Sequence, residues 1–261
     1  MARTRTGCPA ANAAITRRSS APMKKPFLGI FSAFFIFFAI TLIPAEFFFP
    51  ATAVFVAAAG IAIFARYGNR DALLFLVACV ACLLLFRLPH SNTLFLQMAM
   101  GTGALHLIWG RKGEWWNSKE KVWVRVGKGI VLFVAMAAAG IGMNLALNLL
   151  GLNDGANAMG VVDALPIYLL VLSFTLVPMT EELFFRALLV PRIGVLASAV
   201  VFGLTHTAYG SVAEILGATL LGLLLAWYFA RARDLLPCII AHAIFNLLSV
   251  AAIKVLMGAG A

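Results

Sequence analysis

The chain is poor in charged residues, in acids most of all, and in cysteines. Only 11% of its 261 residues are charged, against roughly 25% in an average soluble domain. An ordinary soluble domain is therefore excluded, and a hydrophobic content of 63% excludes a disordered chain as well. Four cysteines are too few for a disulfide framework. Cys79 and Cys82 lie inside an apolar run, where we interpret them as small packing residues.

Long apolar blocks fill most of the sequence, and the mean hydropathy is +0.99. The blocks are unbroken, whereas strands of a membrane β-barrel alternate apolar and polar residues. We therefore predict an all-α fold, a polytopic transmembrane helix bundle with eight or nine spans. The predicted segments are 27–44, 51–65, 72–86, 94–109, 130–152, 165–190, 193–208, 211–230 and 235–253.

Polarity divides the chain into three parts. Residues 1–26 form a basic tail, predicted to be cytoplasmic, 27–152 are N-terminal membrane helices, and 153–261 contain the candidate catalytic core. Met23, followed by two lysines and an apolar run, has the pattern of a natural start. One interpretation is therefore that translation starts at Met23 and that residues 1–22 are an artefact of a misassigned start site.

The 20 Lys and Arg residues exceed the 10 acids, giving a net charge of +10. If the N-terminus is cytoplasmic, only Arg87 and Lys254 of the basic residues fall outside, as the positive-inside rule favours. We predict a multi-pass protein of the cell (inner) membrane. Nine spans place the C-terminus outside and eight place it inside. The loop 110–129 mixes tryptophans with basic residues, which predicts contact with membrane lipids rather than nucleic acid.

Two adjacent carboxylates, Glu181 and Glu182, lie inside an apolar segment, where ionisable residues are functional candidates by default. Glu182 and Arg186 are four residues apart, so on a helix they share one face and are predicted to form a buried ion pair. Glu181 points roughly 100° away and has no local cation. It is the free carboxylate and the candidate general base.

Two further apolar segments carry polar groups at helical spacing. Phe202 precedes His206 by one turn, and His242 precedes Asn246 by one turn. The alternative for Asn246 is a hydrogen bond to a neighbouring helix. Counted along straight helices, four polar residues fall near mid-membrane, most of them toward the cytoplasmic half. They are Glu181, His206, His242 and Asn246.

The ordered motifs E-E-x-x-x-R, F-x-x-x-H and H-x-x-x-N resemble those of the CPBP intramembrane proteases. That family includes CAAX prenyl proteases and bacteriocin-processing or immunity (ABI-type) proteins. The resemblance covers about residues 165–253. It implies a protease (a hydrolase acting on peptide bonds) in which Glu181 and His206 activate a water, while His242 and Asn246 stabilise the oxyanion. The residues it implies as supports are Glu182, Arg186 and Phe202.

Metal dependence stays open at this point. Glu181, His206 and His242 are the ligand types of a catalytic zinc site, so a metalloprotease-like centre on these three is one interpretation. The sequence lacks H-E-x-x-H, and we favour the interpretation without a cofactor.

Two other functions compete with an intramembrane endopeptidase acting on membrane-associated proteins or peptides. A non-catalytic immunity or scaffold member of the family would need the fold without the acid–base geometry. A proton-coupled transporter also uses buried Glu and His, but it often contains two related halves, and no internal repeat is visible. The sequence does not distinguish a prenylated substrate from an unmodified one.

Overall fold

The computed structural model describes residues 28–40, 56–61, 63–64, 69–85, 88, 90–117 and 119–258. The basic tail and the break between the first two predicted spans lie outside these ranges. Within them the chain consists of helices joined by turns and short loops, with no strand. The all-α prediction is therefore confirmed for the described residues.

Three helices form the N-terminal part: α1 (Leu28–Ile40), α2 (Asn69–Leu85) and α3 (Ser91–Ile108). Residues 56–61 and 63–64 are also helical. The three helices share one core cluster that includes Phe37, Phe75 and Phe95. Cys79 and Cys82 are unoxidised and buried in the same cluster, which agrees with their interpretation as packing residues.

The remaining helices build the C-terminal part and follow one another with short connections. They are α4 (Val122–Leu149), α5 (Gly155–Asp163), α6 (Ile167–Phe174), α7 (Leu176–Glu181), a π-helix (Glu182–Leu189), α8 (Val190–Ile193), α9 (Val195–Leu204), a 3₁₀ segment (Thr205–Tyr209), α10 (Val212–Ala232) and α11 (Leu235–Gly258). Their core cluster joins residues of α3, α4, the π-helix, α10 and α11. The C-terminal helices therefore pack around one shared centre.

Three helices of the described residues are long and apolar enough to cross a membrane: α4, α10 and α11. Helices α5 and α6, which bend by 117° at their junction, would make a fourth if they count as one span. The shorter apolar helices are Leu28–Ile40, Asp71–Leu85 and Val195–Tyr209. The structure thus supports a helical membrane protein, and the count of eight or nine spans stays a prediction.

The predicted span 165–190 is broken rather than continuous. Helix α6 ends at Phe174, and Thr175 has φ −113° and ψ −75°. Pro178 explains the break, because a proline has no N–H for the carbonyl four residues earlier, here Phe174, and its ring crowds that carbonyl. After Glu181 the chain winds as a π-helix, and Ser198 of α9 donates a 2.8 Å hydrogen bond to the carbonyl of Phe185 within it. π-Helical turns occur frequently at functional sites.

Polar contacts fix the two ends of this bundle. At one end, Arg125 of α4 binds Asp234 through two hydrogen bonds of 2.8 and 2.6 Å, and both residues are buried. At the other, the Asp154 side chain accepts hydrogen bonds from the backbone of Val212 and Ala213 at the start of α10. The bundle is therefore tied at both ends by carboxylates that lie away from the motifs.

Ser211 caps α10. Its hydroxyl accepts a 3.0 Å hydrogen bond from the backbone N–H of Glu214, which is the first half of a capping box. The same hydroxyl donates to Asp154 at 2.8 Å. The start of α10 is therefore held by Ser211 as well as by Asp154.

Candidate active site

Glu181 ends α7 and is 8% exposed. One carboxylate oxygen, Oε1, accepts a 2.9 Å hydrogen bond from the amide of Gln97 on α3. The other, Oε2, lies 3.9 Å from Nε2 of His242. That distance is too long for a direct hydrogen bond but suits one bridged by a water molecule. The candidate base is therefore held on one side and faces an imidazole on the other.

His242 lies on α11, buried between the two adjacent carboxylates. Its Nδ1 is 2.9 Å from Oε1 of Glu182. Because an ionised carboxylate can only accept, Nδ1 carries the proton in this pair. Nε2 is then the ring nitrogen that faces Glu181. The sequence predicted His242 near the carboxylates but did not predict its contact with Glu182.

Glu182 and Arg186 form the predicted buried ion pair, with Nη1 of Arg186 3.0 Å from Oε1 of Glu182. Arg186 and His242 therefore contact the same carboxylate oxygen, Oε1 of Glu182. Both residues of the pair are essentially inaccessible, at 0% and 1% exposure.

Phe202 forms the wall against which the other groups pack. The Arg186 guanidinium lies 4.4 Å from the centre of its ring, a cation–π distance. The His206 ring is centred 4.9 Å away and the His242 ring 5.9 Å away. The aromatic residue of the second motif thus contacts members of all three motifs.

His206 lies beyond α9, in the 3₁₀ segment, and is half-buried. Its Nδ1 is 3.0 Å from the carbonyl of Phe202, so Nδ1 donates and Nε2 carries the lone pair. Its ring stacks on Tyr209 at 5.7 Å. The structure brings His206 to Phe202 as predicted, while the hydrogen bonds and ring contacts described here are to Phe202 and Tyr209 rather than to Glu181.

Asn246 lies one turn after His242 and is half-buried. Its Nδ2 donates a 2.7 Å hydrogen bond to the carbonyl of Ser173. That carbonyl belongs to the last turn of α6, where carbonyls lack partners within the helix. The structure therefore contains the hydrogen bond that was the alternative for Asn246. Its amide has a second N–H, which leaves one donor for another role.

The candidate metal ligands Glu181, His206 and His242 do not form a binding group in this arrangement. Among the described residues, no three His, Cys, Asp or Glu side chains cluster closely enough to hold a metal ion. The zinc interpretation therefore does not fit the present geometry, and no step below uses a metal.

Sequence reasoning missed Gln97 and Tyr209. Gln97 lies in the N-terminal part, far from the motifs in sequence, so spacing gave no signal for it. Tyr209 follows His206 by three residues, and that one-turn spacing was a usable signal. Gln97 becomes visible only when the helices are packed together.

Fold and site together describe a helical membrane protein in which two buried carboxylates lie on either side of a histidine. Residues 163–248 match a family model described as type II CAAX prenyl endopeptidase Rce1-like. No curated protein and no solved structure gives a significant match to the chain. The matched region therefore carries an Rce1-like CAAX protease domain, consistent with the resemblance to the CPBP intramembrane proteases.

Proposed function

We propose that the protein is an intramembrane endopeptidase that hydrolyses peptide bonds of membrane-associated proteins or peptides. The observation that carries this proposal is the position of the His242 imidazole, with Glu182 at Nδ1 and Glu181 facing Nε2. A buried ring with a carboxylate on each side can move protons without exposure to bulk water. The Rce1-like family match favours peptide-bond hydrolysis over transport.

In the proposed mechanism, Glu181 is the general base. A water placed between its Oε2 and Nε2 of His242 gives up a proton to Glu181 as its oxygen attacks the scissile carbonyl carbon. His206, whose Nε2 carries the lone pair, assists in orienting this water. The proton on Glu181 is then passed to the leaving amine nitrogen as the C–N bond breaks.

His242 and Asn246 are proposed to stabilise the oxyanion. Because Nδ1 of His242 already donates to Glu182, Nε2 can donate to the oxyanion only when it also carries a proton, and that proton stays on Nε2 while Glu181 passes the water proton to the amine. Asn246 would contribute its second amide N–H. Glu182, Arg186 and Phe202 would keep the imidazole in place, since Glu182 and Phe202 contact the ring and Arg186 contacts both of them.

We also propose that the chain is a multi-pass protein of the cell membrane with a cytoplasmic N-terminus and its site toward the cytoplasmic half. The segment 110–129, which is rich in tryptophan and in basic residues, supports this placement. Trp123 is 82% exposed, and basic side chains surround it in sequence, as expected for contact with anionic lipid headgroups.

Cleavage by the purified protein in lipid nanodiscs tests the proposed function. The probes are a farnesylated CAAX peptide and the same peptide without the prenyl group, each with a fluorophore and quencher across the scissile bond. Glu181→Gln should lower kcat by about 10²–10⁴-fold, the usual loss for a general base. The control is Glu214→Gln on α10, outside the motifs, which should cleave like the wild type. Near-native cleavage by Glu181→Gln would remove Glu181 from the mechanism.

A further inference from the structure

Gln97 forms a polar bridge between two adjacent residues of α7. Its Nε2 donates to Oε1 of Glu181 at 2.9 Å, and its Oε1 accepts from the Thr180 hydroxyl at 2.6 Å. An amide has one donor end and one acceptor end. Because a carboxylate accepts, the N–H end of the amide faces Glu181, and the carbonyl end accepts from the Thr180 hydroxyl.

Close packing of α3 against α7 holds this bridge in register. A Cβ atom on Gly101 would lie 2.5 Å from Cγ2 of Thr180, so only glycine allows the two helices to approach this closely. Gln97 and Gly101 are four residues apart and share a face of α3. The same face therefore supplies both the close approach and the amide.

The bridge comes from outside the region that matches the Rce1-like model, which begins at residue 163. A polar side chain in an apolar helix is costly unless it is hydrogen-bonded, and both ends of this one are used. We propose that Gln97, anchored by Thr180, is a positioning residue that fixes the carboxylate of Glu181 for its role as base. The proposal rests on the proposed function, and it makes the N-terminal helices part of the active site.

The bridge acts on the carboxylate by holding its orientation. It limits rotation of Glu181, so that Oε2 keeps facing His242, and misplacement of a reacting group by 1 Å costs on the order of 100-fold in rate. If Gln97 had only a structural role, its substitution would not lower kcat selectively and would not change the reactivity of Glu181.

The kinetic test uses three variants and one control in nanodiscs. Gln97→Met removes the amide at similar volume and should lower kcat about 10- to 100-fold with little change in KM. Thr180→Val keeps the shape but loses the hydroxyl and should cost less, about 3-fold. The double variant should be no slower than Gln97→Met, because Thr180 acts through Gln97. Thr102→Val is the matched control, since its hydroxyl bonds only the carbonyl of Met98 in its own helix.

A second measurement needs no substrate. Dicyclohexylcarbodiimide modifies protonated carboxyl groups in membrane proteins, and mass spectrometry of the peptide containing Glu181 follows the rate. Gln97→Met should be labelled several-fold faster than the wild type, because the Gln97 amide no longer holds Oε1 of Glu181. Equal labelling at neutral pH, or equal kcat in an active enzyme, would overturn the proposal. If the wild type cleaves neither peptide, the proposed function fails, while labelling still decides the role of Gln97.

Discussion

Two buried ion pairs in the molecule differ in how completely their hydrogen bonds are formed. Arg125 and Asp234 bind through two parallel hydrogen bonds at the end of the bundle, with the guanidinium 4.3 Å from the Trp116 ring. In the Arg186–Glu182 pair, Nε and both Nη atoms of Arg186 and Oε2 of Glu182 have no hydrogen-bond partner among the described residues. Only the second pair shares its carboxylate with a histidine.

The difference separates a structural pair from a functional one. The bidentate pair fixes the first turn of α4 to the residue before α11, and none of its atoms is among the buried side-chain atoms that lack a hydrogen-bond partner. A buried pair with free donors and acceptors is costly unless something else satisfies it. We interpret that unused capacity as a property of the candidate active site, where charge changes during a reaction.

Breaking either pair should give the largest loss of stability. Arg125→Met or Arg186→Met leaves an uncompensated buried carboxylate, at a cost of about 3–5 kcal/mol. The double variants Arg125→Met/Asp234→Leu and Arg186→Met/Glu182→Leu should recover much of that loss. Thermal unfolding in detergent of the wild type, the two double variants and the four single variants completes both double-mutant cycles; the single variants are Arg125→Met, Asp234→Leu, Arg186→Met and Glu182→Leu. Additive losses in either cycle would contradict the coupling of that pair.

Peptide cleavage by the two double variants is a second way to compare the two ion pairs. The Arg125→Met/Asp234→Leu protein should regain cleavage along with stability. Glu182→Leu/Arg186→Met should regain stability only, because His242 loses the carboxylate at its Nδ1. Recovery of cleavage in both double variants would remove the distinction between the two pairs.

The next effect concerns Asn246, which has both a structural contact and a proposed chemical role. If its second N–H stabilises the oxyanion, Asn246→Ala should lower kcat by about 10²–10³-fold with little change in KM. Asn246→Asp is the matched comparison, since it keeps the size but replaces the amide with an acceptor. An unchanged kcat in Asn246→Ala would leave the bond to Ser173 as its only role.

The smallest effect is expected at Asp154, which is half-buried. Hydrogen bonds from the backbone of Ala213 and Val212 and from the Ser211 hydroxyl hold the pKa of this carboxyl below its usual value of 3.8. A lowered pKa in the folded state means that its stabilising contribution is present above that value and is lost as pH falls through the folded pKa. Melting temperatures of wild type and Asp154→Asn should differ near neutral pH and converge in acid. A constant difference would argue against this linkage.

Local sequence patterns predicted the contacts within one helix and the polar composition of the site. The Glu182–Arg186 pair follows from i,i+4 spacing, and Pro178 gave a physical reason for a distorted helix. The π-helix has no comparable signature, because it depends on packing against α9 through Ser198. Contacts between distant segments were equally hidden: Gln97 is 84 residues from Glu181, and Asn246 is 73 from Ser173. Such pairs arise from helix packing rather than from spacing.

The most direct test of the central claim is a comparison of membrane proteomes from cells that express the wild type or Glu181→Gln at equal levels. Protein termini are labelled and identified by mass spectrometry. The account predicts new termini in membrane-associated proteins with the wild type, and their loss with Glu181→Gln although the variant inserts normally. The same termini in both samples would contradict a Glu181-dependent protease.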